Sequence, residues 1–143
     1  MKIGIITFHA AHNFGSMLQA YALQTFLSSK GHEVEIINYR SSQQKDLYFK
    51  PIFSKCAFRH PKFFLQCLVH PSHTMAMIEK WNNFESFLCN HLKLTKEYCS
   101  LRQLKEEKFS YDVVVSGSDQ IWNNNPADFS VAYMIPFADS CTK

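Results

Sequence analysis

Apolar residues along the chain come in short bursts separated by polar loops, and the spacing within each burst names its element. Residues 2–8 (KIGIITF) form a short apolar run of strand length, which predicts a strand. Polar residues 9–15 follow. From Ser16 to Lys30 the residues Leu18, Tyr21, Ala22 and Phe26 recur at helical spacing, with Ser16 as N-cap and Gly31 where a left-handed C-cap is wanted. Residues 33–39 (EVEIINY) then place Val34 and Ile36 on one face of a second strand. Strand, helix, strand of this size reads as a β-α-β unit in a parallel sheet.

The middle of the chain, about 40–92, has Pro51, Pro61 and Pro71 and no strand-like alternation, so it reads as a helical insertion. Its clearest helix runs from Thr74 to about His91, with Met77, Trp81, Phe84 and Leu88 on one stripe. Ser100-x-x-Gln103 has the form of a capping box and opens a short charged helix through Lys108. Residues 111–116 (YDVVVS) form a third strand that delivers its end to Gly117. Strands 2–8, 33–39 and 111–116 are expected to be parallel neighbours in a Rossmann-like sheet with flanking helices.

With 143 residues, 46% apolar and 19% charged, the chain has material for one core, and its aromatics argue against disorder. A net charge of +3 is too small to point to nucleic acid. The charge is uneven, however: Arg40, Lys45, Lys50, Lys55, Arg59, Lys62 and Lys80 face only Asp46 and Glu79 across one aromatic-rich stretch, which suits contact with an anionic surface. The apolar run at Ile3 is too short for a signal peptide and no run approaches membrane-spanning length. A cytoplasmic protein is expected. Its five cysteines, without C-x-x-C spacing, suit reduced thiols.

Two loops carry the candidate chemistry. The first, His9-Ala10-Ala11-His12-Asn13-Phe14-Gly15-Ser16, lies between the carboxyl end of a strand and the amino end of a helix, where open α/β sheets bind ligands. Free N–H groups there favour an anion or a sugar hydroxyl. The glycines of a dinucleotide fingerprint are missing, and Asn38 stands where a ribose-binding acid is wanted. The second loop, Gly117-Ser118-Asp119-Gln120-Ile121-Trp122-Asn123, groups polar side chains around one aromatic, a composition that suits a sugar. Each loop also has a plain structural reading: Asn13 and Ser16 can satisfy a turn, Asp119 can cap a helix and Trp122 can be core. Cys56, His60, Cys67 and His70 could ligate zinc, but their spacing fits no standard finger, so no metal is assigned. The apolar run from Phe63 to Val69 suits packing or a shallow membrane-surface contact.

The stretches Asn13-Phe14-Gly15-Ser16-x-Leu18-Gln19-x-Tyr21-Ala22-Leu23-Gln24 and Tyr111-Asp112-x-Val114-x-x-Gly117-Ser118-Asp119-Gln120-Ile121-Trp122-Asn123 resemble two signature segments of the polysaccharide pyruvyl transferase family, in the right order. The variable helical region between them and Ser100-Leu101-x-x-Leu104 also fit, so the resemblance covers essentially the whole chain and less than half of a typical member.

What the resemblance implies is a glycosyltransferase-B-like architecture of two Rossmann-like domains, of which this chain is the incomplete N-terminal one and the second is absent. It also implies phosphoenolpyruvate as donor, a glycan or lipid-linked sugar as acceptor, a cyclic pyruvate ketal as product, and no cofactor. The donor carries a carboxylate and a phosphate, which call for cationic partners. Only His9 and His12 are cationic candidates in the two loops, while Arg40, Arg59 and Arg102 lie outside them. The donor is therefore expected to be held mainly by the second domain, while His9, His12, Asn13, Gly15, Ser16, Gly117, Ser118, Gln120, Trp122 and Asn123 shape the acceptor side and Asp119 acts as its base. Alone, these residues are expected to transfer nothing and to self-associate through an unfinished sheet edge. Two alternatives stay open. One is a non-catalytic module that binds an anionic glycan, a lipid surface or nucleic acid, and the other is a glycosyltransferase with a nucleotide-sugar donor.

Overall fold

The structure, a computed structural model, describes residues 1–48, 69–117, 121 and 129–138. Its elements run in the order β1 (Lys2–Ile6), α1 (Phe14–Ser29), β2 (Glu33–Ile36), α2 (Ser42–Tyr48), α3 (Pro71–His91), α4 (Leu101–Glu106), β3 (Val113–Ser116) and a short 3-10 helix (Val131–Met134). The three strands form one parallel sheet in the order β2-β1-β3. Ile3 pairs with Val34 on one side and with Val113 on the other. The three strand neighbours are those read from the sequence, each shorter than its apolar run.

Strand alternation divides the core into two layers. Ile3, Ile5, Val34 and Ile36 point to one face, where Met17 and Ala20 of α1 and Phe84 and Leu88 of α3 cover them. Ile6, Ile37, Tyr39 and Val114 point to the other face and pack beneath Leu104, Tyr133 and Phe137. Tyr133 is the largest fully buried side chain among the described residues. Its ring meets Phe8 and Tyr39 edge-on, and its hydroxyl accepts from Gln44 Nε2 at 2.7 Å.

Two features of α1 depart from the sequence reading. Its N-cap is Asn13, whose Oδ1 accepts from Gly15 N at 2.8 Å, and Ser16 lies inside the first turn with its hydroxyl on Asn13 O. Asn is as good a cap as Ser, and the first candidate along the chain takes the role. The repeat that signals the helix also lies on its outer side: Leu18, Tyr21 and Phe26 are exposed, while Ser16, Met17, Ala20 and Gln24 are buried. The helix is apolar nearly all round, so periodicity reveals that it forms but not which face docks. Gly31 does close it, at φ +83°, with Gly31 N bonded to Ser28 O and His32 N to Leu27 O. That pair of bonds is the Schellman stop.

Ser100 caps α4 by accepting from Gln103 N, and Gln103 Oε1 reaches back to Cys99 N. The capping box is thus present, with its return bond moved one residue outward. One extended segment has no counterpart in the sequence reading: residues 93–98 run beside β2, bridging Leu94 to Ile36 and Tyr98 to Tyr39 in parallel. Residues 37–39 continue β2 without a regular ladder, and this segment supplies a partner to Asn38, whose N donates to Thr95 Oγ1 at 3.0 Å.

Candidate functional site

All three strands end on the same side of the sheet, where the residues leaving β1 and β2 meet and Gly117, the first residue after β3, lies beside them. Thr7 directly follows β1, and its hydroxyl donates to Gln19 Oε1 of α1 at 3.1 Å. Gly117 follows β3 and lies against the same threonine, so close that a Cβ built on it would stand 2.3 Å from Thr7 Oγ1. Only a residue without a side chain lets the second motif loop start beside the first. Four residues on, Ile121 is buried in the core. Ser118, Asp119, Gln120, Trp122 and Asn123 lie outside the described residues, as do Cys56, His60 and Cys67.

In the first loop Asn13, Phe14 and Gly15 are exposed at the mouth of the site, while Ser16 is buried and turned to the backbone. The two histidines part company. His9 is wholly buried, its Nδ1 donating to Thr7 O at 3.1 Å and its Nε2 lying 3.1 Å from Asn38 Oδ1. Burial outweighs the help those oxygens give to an imidazolium and lowers the pKa of the ring. His9 therefore supplies no surface cation. His12 stands at φ +48°, outside the usual range for a residue with a side chain. Its ring stacks on Phe84 at 5.5 Å and meets Trp81 edge-on at 5.8 Å, and its Nε2 donates to Glu85 Oε1 at 2.7 Å.

Glu85 and Arg40 are the site residues that sequence reasoning missed. Arg40 was placed outside both loops, within a basic stretch facing an anionic surface. It is instead 5% exposed at the carboxyl end of the sheet. Its Nη1 donates to both oxygens of Glu85, at 3.0 and 3.1 Å, and its Nε to Asn38 Oδ1 at 2.9 Å. Glu85 thus ties the loop after β1, through His12, to the chain after β2, through Arg40. Burial alone would push the Glu85 carboxyl up. The hydrogen bond from His12 and the charge of Arg40 outweigh it and hold the group below the usual carboxylate range. Further along, Lys45 pairs with Glu97, which also lies 3.8 Å from Arg40 Nε.

These two shifts fix a pH dependence. Folded His9 and folded Glu85 both bind protons less readily than their unfolded counterparts, so their contributions are complete at neutral pH and are lost as pH falls. Stability is expected to decrease first below about 6.5, where unfolded His9 protonates, and again below about 4.5, where unfolded Glu85 does. Urea midpoints measured from pH 8 to pH 4 read this directly. His9→Gln should remove the first step, and a midpoint constant from pH 7 to pH 5 in the unaltered chain would contradict it.

Beside the first loop, α1 and α3 enclose an open groove of about 520 Å³ lined by Phe14, Met17, Leu18, Phe84 and Phe87, with Lys80 and Asn83 at its border. Phe84 is shared between this groove and the ring of His12. Among the described residues no helix is long and apolar enough to cross a membrane, and no group of three or more His, Cys, Asp or Glu could hold a metal ion.

Compared with known protein families, residues 13–141 match the family described as polysaccharide pyruvyl transferase. No curated protein and no solved structure matches the chain.

Proposed function

The chain belongs to the polysaccharide pyruvyl transferase family, and from that premise we propose that it forms the acceptor side of a cleft in which a pyruvyl group passes from phosphoenolpyruvate to a sugar as a cyclic ketal. Chemically, a proton added to the enol methylene makes C2 electrophilic, one sugar hydroxyl attacks it, and a second hydroxyl closes the ring as phosphate leaves. General acid–base chemistry and anion stabilisation are sufficient for this. A second Rossmann-like domain in a glycosyltransferase-B-like arrangement would hold most of the donor.

The observation that carries the reading is the seat of Gly117 on Thr7 and Gln19. Through it, the family-like segment starting at Asn13 and the one ending at Asn123 leave neighbouring strands on the same side of the sheet. Asn13 and Gln120 would position hydroxyls, Trp122 would offer a flat face to the sugar ring, and Asp119 would take a proton.

A lipid-linked acceptor is favoured over a free glycan by the apolar groove beside Phe14, which would accept hydrocarbon next to the sugar position. The test is phosphate release from phosphoenolpyruvate by the full-length protein, offered free oligosaccharides in one arm and the same sugars on a lipid carrier in another. Nucleotide sugars serve as rival donors. Saturation by phosphoenolpyruvate with ketal formed is the expected result, and turnover of a nucleotide sugar in its place would replace this reading with that of a glycosyltransferase.

A further inference from the structure

At the carboxyl end of the sheet the chain leaves β1 and β3 toward opposite faces. After β1 it rises into α1, which covers one layer of the core, and after β3 it passes Ile121 to the 3-10 helix, whose Tyr133 is buried in the other layer. Neighbouring strands that part in this way open a crevice between them, and there α/β sheets bind ligands. Its floor is the rung from Gly117 N to Ile6 O, at 2.8 Å, with Thr7 against it. Gln19 of α1 borders that floor, its Nε2 lying 3.3 Å from the point where a Cβ on Gly117 would be. A glutamine on a helix surface samples many poses, but the hydroxyl of Thr7, itself sealed in the core, donates to Oε1 and fixes this carboxamide. The N–H groups of Nε2 are left over. Among the described residues nothing accepts from them, and they remain open to water, because Gln19 is only half-buried and its Nε2 is not enclosed.

We propose that Gln19 is a specificity-determining residue that donates from Nε2 to one hydroxyl of the acceptor sugar, with Thr7 as the positioning residue that keeps the carboxamide turned toward it. The assignment rests on the pyruvyl-transfer reading above and names one contact by which the acceptor is chosen. A hydroxyl is the group that suits it. The basic side chains at this end of the sheet are turned elsewhere, His12 and Arg40 to Glu85 and Lys45 to Glu97, while His9 is wholly buried. A carboxylate or phosphate set against a neutral amide would lose its hydration with no opposite charge to offset the loss. A hydroxyl merely exchanges a water for an N–H. Its oxygen accepts from Gln19 and keeps its own proton, which it can still give to a base. A sugar lacking that hydroxyl leaves Nε2 unpaired beneath it, and an unpaired polar group is what rejects such an analogue.

The test uses the full-length protein, phosphoenolpyruvate and the octyl glycosides of glucose, galactose and mannose. The glycoside turned over best is compared with its monodeoxy derivatives, each also measured as a competitor, so that those unable to form a ketal still report their affinity. If only the lipid-carried sugars turn over, they become the reference against which the glycosides compete. At least one derivative is expected to bind the unaltered enzyme about tenfold more weakly than the intact glycoside. Gln19→Met should raise the KM for the intact glycoside about tenfold, change kcat and the KM for phosphoenolpyruvate by less than about twofold, and bind that derivative and the intact glycoside equally well. Thr7→Val, of the same shape, should lose roughly threefold of the same discrimination. If Gln19→Met does not fold, as judged by circular dichroism, Gln19→Glu takes its place, since it keeps the acceptor for Thr7 and removes the N–H donors. A merely structural Gln19 would weaken every derivative alike and leave the discrimination standing. That result, or an unchanged KM, overturns the role of Gln19 alone. Absence of ketal from the unaltered enzyme with the glycosides and the lipid-carried sugars alike overturns the pyruvyl-transfer reading itself.

Discussion

Replacing Arg40 by alanine is expected to destabilise the chain by about 3 kcal/mol, the lower end of what breaking a buried ion pair costs. The loss falls at that end because Glu85 keeps the hydrogen bond from His12 and leaves part of its side chain in water. Against a total stability of roughly 5–15 kcal/mol for a domain, this is a large fraction, and it should appear as a drop of roughly 10 °C in melting temperature. Arg40→Lys should recover little, because one ammonium cannot span both Asn38 Oδ1 and the Glu85 carboxylate as the guanidinium does. The double variant Arg40→Met with Glu85→Leu should melt nearer the unaltered chain than Arg40→Ala does, since it leaves no buried charge unpaired. Thermal melts of the three variants decide the matter, and an Arg40→Ala chain within 1 °C of the parent would mean that the network holds nothing together.

Asp119→Asn carries the largest expected effect on turnover. Ketal formation strips a proton from two sugar hydroxyls. A carboxylate can accept one, whereas an amide of the same shape keeps hydrogen-bonding capacity without basicity. In the full-length protein kcat should fall by about 10²–10⁴-fold with the KM for acceptor little changed. Gln120→Ala, if Gln120 only positions a hydroxyl, should raise that KM instead. Measured kcat for Asp119→Asn equal to that of the parent would move the base elsewhere in the cleft.

The fold was legible where one short stretch decides the outcome. Ile3 to Ile6 cannot be other than strand, Gly31 stops α1 because the chain there needs a positive φ, and Ser100 with Gln103 marks the start of α4. Legibility failed where the decision is tertiary. Nothing local says that α1 docks by Met17 and Ala20 rather than by Leu18 and Phe26. The bridges of Leu94 and Tyr98 to the far side of β2 depend on neighbours almost sixty positions away in sequence, as the Asn38 to Thr95 bond does. The site divides in the same way. The loop from His9 to Ser16 could be found by its place between strand and helix, yet the two histidines take opposite fates, one sealed and neutral, one caged beside a carboxylate. Arg40 and Glu85 gave no signal because each alone is an ordinary surface residue type, and only their meeting across 45 positions makes a site.

The sheet order β2-β1-β3 has a consequence for the nascent chain. Between Lys2 and its partner Asp112 lie 110 residues of synthesis, which at ribosomal speeds last roughly 6–20 s. β2 and α1 can close on β1 early, giving a small β-α-β nucleus, but the other edge of β1 must wait for β3. Throughout that interval Ile3, Gly4, Ile5 and Ile6 present unsatisfied main-chain groups on an apolar strand, a template for pairing with any neighbouring chain on the same polysome. The stretch from Arg40 to Tyr111 thus sets a timer on how long the newborn protein needs shielding.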